Sequence, residues 1–75
     1  MMKRISGKVV YQNFSGGFWG IVSDDGKEYR PIHMPNQLKK NGARISVFVK
    51  KVKEEVSMFM WGEPVEIIMF STSFG

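Results

Sequence analysis

The 75 residues contain no cysteine, which excludes a disulfide framework and a thiolate metal site. Histidine occurs once, at His33, so no second imidazole can complete an acid–base pair or a transition-metal ligand set. No stretch approaches the ~20 apolar residues of a membrane-spanning helix. The opening MMKRISGKVV carries a basic pair but no apolar core, so no secretory leader is expected and a cytoplasmic location is. A chain this short buries only about 60–65% of its unfolded surface, so one compact core has to carry the whole fold. The expected organisation is a single domain over 1–70 and a flexible tail over 71–75, where STSFG holds little to pack.

What is present is a period of two. Ile5, Gly7, Val9 and Tyr11 alternate with Ser6, Lys8, Val10 and Gln12, and Ile45, Val47 and Val49 alternate with Ser46, Phe48 and Lys50. Such alternation sends one set of side chains to a core and the other to solvent along a pleated strand. Punctuation is regular. Ser15-Gly16-Gly17 separates the first two strands, Asp24-Asp25-Gly26 is a hairpin signal, and Pro35 begins a segment suited to one helical turn before Asn41-Gly42. Strands are expected near 4–13, 17–23, 27–33, 44–53, 56–61 and 65–70, the last two joined or bent at Gly62. Five or six short strands with one longer connection after the third describe an all-β domain closed into a small barrel, because closure removes exposed strand edges.

The order of these pieces resembles an OB-fold, and within it the cold-shock type. Gly7-Lys8-Val9-Val10-Tyr11-Gln12-Asn13 is similar to that family's first strand. Phe18-Trp19-Gly20-Ile21-Val22 falls where its first nucleic-acid-binding motif lies, and Arg30-Pro31-Ile32-His33 where its second lies. Leu38-Lys39-Lys40-Asn41-Gly42 matches the loop into strand four. Ile21 and Pro31 occupy positions where the family carries aromatic residues. Small S1-like barrels are a comparable match through the Gly-x-Val opening and the DDG hairpin. The resemblance implies an OB-like barrel that binds single-stranded RNA or DNA by stacking bases on aromatic rings.

The residues themselves offer two readings. Alternation along the second strand sends Phe18, Gly20 and Val22 inward and Trp19 and Ile21 outward. Trp19 and Arg30 then form a stacking and phosphate-binding pair, flanked by Lys8 and Lys27, with Tyr11, Phe18 and His33 as auxiliary contacts. The formal charge of +4, with six of eleven cations between Lys39 and Lys53, permits phosphate binding and equally describes an ordinary soluble surface. The second reading is a protein-interaction or self-association module. Phe48, Phe59 and Trp61 give both faces of their strands apolar bulk, as an exposed patch would. Catalysis is not expected: Asp24, Asp25, Glu54 and Glu55 read as turn residues, and no nucleophile–base pair, metal site or cofactor motif is present.

Overall fold

The computed structural model describes residues 2–13, 16–52 and 61–71. Five strands form the domain: β1 (Met2–Gln12), β2 (Phe18–Ser23), β3 (Glu28–Pro31), β4 (Arg44–Lys51) and β5 (Glu63–Ser71). They close into a ring in the order β1-β2-β3-β5-β4, parallel between β3 and β5 and antiparallel elsewhere. Closure depends on β1, whose 11 residues serve two neighbours. Its first half pairs with β4 and its second half with β2, and Gly7 and Lys8 belong to both ladders.

Opposed residues on neighbouring strands share a face, so the register identifies the interior. Ile5 opposes Val47 and Val9 opposes Ile21, and all four are buried. Tyr29, Ile45, Val49 and Val65 complete the wall of the core. The β3–β4 connection supplies Met34 and Leu38. A single 3-10 turn, Asn36–Leu38, starts after Pro35 and drives the fully buried Leu38 into the barrel. Among the described residues there is no α-helix, and no helix is long and apolar enough to cross a membrane.

The hairpin at Asp24-Asp25-Gly26 forms as its composition requires. The Gly26 amide donates to the Ser23 carbonyl at 2.9 Å, and the Ser23 amide to the Lys27 carbonyl at 2.8 Å. Asp25 Oδ1 accepts from Ser23 Oγ and, at 3.1 Å, from the Lys27 amide. These bonds hold the Asp25 carboxyl below its ordinary value, the Ser23 hydroxyl contributing most.

Most strand ends shift by one or two residues from the expectation, β1 beginning at Met2 and β4 ending at Lys51. β3 stops at Pro31, which has no N–H of its own to donate; the Ile32 amide still donates to the Val65 carbonyl at 2.9 Å, and residues 32–33 bend. β5 begins at Glu63, before Pro64, because Gly62 at φ +72° makes the turn and proline is tolerated near a strand start. Ser71 belongs to β5, opposite Ser46, rather than to a tail. Of the strand expected at 56–61, residues 56–60 lie outside the described ones, and Trp61 lies in a bend.

Candidate nucleic-acid interface

The barrel wall has an inward and an outward face, and register sorts the candidate residues between them. Trp19 opposes Tyr11, and Ile21 opposes the wholly buried Val9, so both belong to the inward face. Ile21 lies in the core, and Trp19 is half-buried against it. Phe18 opposes Gln12 and Gly20 opposes Val10, which places Phe18 on the outward face. The expected orientation of β2 is therefore reversed. Both of its faces are apolar, so alternation alone cannot choose between them; the pairing with β1 does.

Phe18 is nevertheless only 8% exposed. The indole of Trp61 covers it, with ring centroids 5.6 Å apart and planes inclined at 58°. The same indole lies over Gly20, where a Cβ would overlap Cζ3 and Cη2. Glycine at this outward position gives the indole its seat. Phe18 begins β2 directly after the β1–β2 connection, and Trp61 ends the β4–β5 connection. One aromatic cluster thus joins both connections to the barrel wall. Gly20 was not among the sequence candidates; the signal that could have marked it is a lone glycine inside an otherwise bulky strand.

At the far end of β1, Tyr11 is 44% exposed and meets Trp19 edge-on, centroids 5.0 Å apart. The Tyr11 amide donates to Asn41 Oδ1 at 3.0 Å, tying this end to the loop that carries the exposed Lys39. Lys8 is exposed on the outward face, opposite Val22 on one side and Arg44 on the other. Arg44 Nη2 reaches both carboxylate oxygens of Asp24, at 2.8 and 3.0 Å. Lys27 and His33 are also exposed, in the hairpin and just after β3. Arg30 is not: it is only 6% exposed, on β3 between β2 and β5, with its backbone amide beside the Gly62 bend. The expected pairing of an outward Trp19 with an exposed Arg30 does not occur.

The expected interaction patch is also divided. Trp61 belongs to the Phe18 cluster, Phe59 lies outside the described residues, and Phe48 is exposed on β4 opposite Met69. Ile68, Met69 and Phe70 form an exposed apolar run beside it, with Met69 56% exposed. Among the described residues no group of three or more His, Cys, Asp or Glu side chains converges as a metal site would require. The fold and surface define a small five-stranded closed β-barrel. Comparison of the chain with protein-family models, curated proteins and solved structures finds no match.

Proposed function

We propose that this barrel is OB-like and binds single-stranded nucleic acid, without catalysis, on the outward face of β1 and β2. The observation that carries the reading is the Phe18–Trp61 cluster over Gly20, on the face that also presents Lys8. OB-type barrels bind oligonucleotides on the face of strands two and three and on the connections β1–β2 and β4–β5, the two connections this cluster joins to β2. Trp61 is half-buried, so part of its indole is at the surface for a base to stack on. Lys8 and Lys27 supply phosphate contacts; Tyr11, opposed to the inward-facing Trp19, lies on the other face. Trp19 and Arg30 leave the list of direct contacts because they face inward or lie buried.

Each base stacked on an aromatic side chain contributes about 1–3 kcal/mol, and phosphate neutralisation makes affinity fall with salt. Fluorescence anisotropy of a labelled single-stranded oligonucleotide tests the reading. Binding at low salt should weaken in Phe18→Ala and Lys8→Gln; no binding at low salt contradicts it.

A second reading rests on a different observation, the exposed run Ile68-Met69-Phe70 beside Phe48. Phe48 and Met69, directly opposed and both exposed, form an apolar patch of the kind that marks protein contact or self-association. Concentration-dependent sedimentation with no response to oligonucleotide would favour it.

A further inference from the structure

A cavity of about 600 Å³ opens at the end of the barrel where β1 and β5 begin and β4 ends. That volume lies in the range of small-molecule sites. Its floor is formed by core residues, Tyr29, Val49 and Val65, and Met2 stands exposed at its side. Lys3 shares the inward parity of Ile5 and Val9, but at the open end of the ring it reaches the cavity instead of the core. Its ammonium donates to the Tyr29 hydroxyl at 3.0 Å and sits 5.6 Å from the ring centroid.

The charges at the mouth are unbalanced. Lys3, Lys50 and Lys51 line the cavity against one carboxylate, Glu63. Lys51 pairs with Glu63 at 3.4 Å, and Lys50 pairs with Glu66 at 3.3 Å. Both pairs are exposed and therefore weak. Lys3 has no ion pair among the described residues. One of its three N–H donors is used by Tyr29, which fixes the ammonium and leaves two donors for an anion. The hydrogen bond to Tyr29 also raises the Lys3 value above the ordinary one, which favours the charged form.

We propose that this cavity binds a single-chain amphipathic anion, a medium-chain fatty acid, with its carboxylate on Lys3 and its alkyl chain along the exposed Met2 and the stems of Lys50 and Lys51, above Val49 and Val65. An alkyl chain suits the cavity better than a nucleobase does. Among the described residues of the lining, Tyr29 carries the one aromatic ring, and it is almost wholly buried, so it offers no stacking surface. The lysine stems add further apolar contact along the rim. This site is independent of the Phe18–Trp61 face, which none of its lining residues joins.

Amide chemical-shift titration of the full chain with decanoate, decanol and decylammonium, each below its micellar concentration, tests the proposal. Decanoate should shift the Lys3, Tyr29, Val49 and Val65 amides saturably, with decanol about fivefold weaker and decylammonium inactive. Lys3→Gln should bring decanoate affinity down to the decanol level, while Lys39→Gln leaves it unchanged. The proposal is overturned if decanoate gives no saturable shift at these amides, if decanol or decylammonium matches it, or if inorganic phosphate alone shifts the same amides. Shifts confined to the Phe48–Met69 surface overturn it as well.

Discussion

The six-membered ring of Trp61 rests on the backbone of Gly20, leaving no room for a Cβ between them. Gly20→Ala should therefore displace the indole from the wall. The expected cost is about 1–3 kcal/mol, as for other overpacking substitutions. Tryptophan emission should move to longer wavelength as the ring gains water. Unchanged urea midpoint and emission would show that the contact does not constrain the indole.

Leu38 tests the plug. It is wholly buried, although it belongs to a 3-10 turn of only three residues in an otherwise strand-built domain. Leu38→Ala should cost about 2–5 kcal/mol in chemical denaturation, through lost transfer energy and the cavity left behind. Gln37→Ala, on the exposed side of the same turn, should stay within about 0.5 kcal/mol.

The β2–β3 hairpin carries a pH dependence. Ser23 and the Lys27 amide hold Asp25 below its ordinary value of 3.8, so folding favours the ionised carboxylate. That stabilisation is complete above 3.8 and is lost as pH falls through the lower folded-state value. Asp25→Asn should abolish this part of the acid-induced fall in thermal midpoint, and Ser23→Ala should reduce it. Equal acid sensitivity in wild type and Asp25→Asn would contradict the assignment.

Phe48 and Met69 make a further prediction on the β4–β5 surface. If this patch mediates self-association, Met69→Lys should lower the weight-average mass in sedimentation at high protein concentration without lowering thermal stability, because Met69 is 56% exposed. A mass equal to the monomer in both proteins would rule out self-association through this surface.

Much of the fold was legible in particular residues. Val9, Val47 and Val49 recur at every second position of their strands with Ile5 and Ile45, and those strands form with the expected side inward. Asp24-Asp25-Gly26 makes its hairpin with local bonds that the sequence already contains. The orientation of β2 was not legible, because Phe18 and Trp19 are both large and apolar. Choosing between them needed the register with β1 and the arrival of Trp61 from a distant segment. Arg30 misled for a related reason. A cation in a strand ordinarily marks the solvent side, whereas here Arg30 is buried. The start of β5 was hidden by Glu63 and Pro64, whose types read as a break while Arg30 and Val52 provide the pairing partners.

The most direct test of the proposed interface separates the two tryptophans. Trp19→Phe leaves Trp61 as the sole tryptophan, and Trp61→Phe leaves Trp19. Titration with a short single-stranded oligonucleotide at low salt should quench emission strongly in Trp19→Phe and weakly in Trp61→Phe, and added salt should reverse the quenching. Absence of quenching in Trp19→Phe at saturating oligonucleotide, or quenching carried by Trp19 instead, would contradict nucleic-acid binding on the Phe18–Trp61 face.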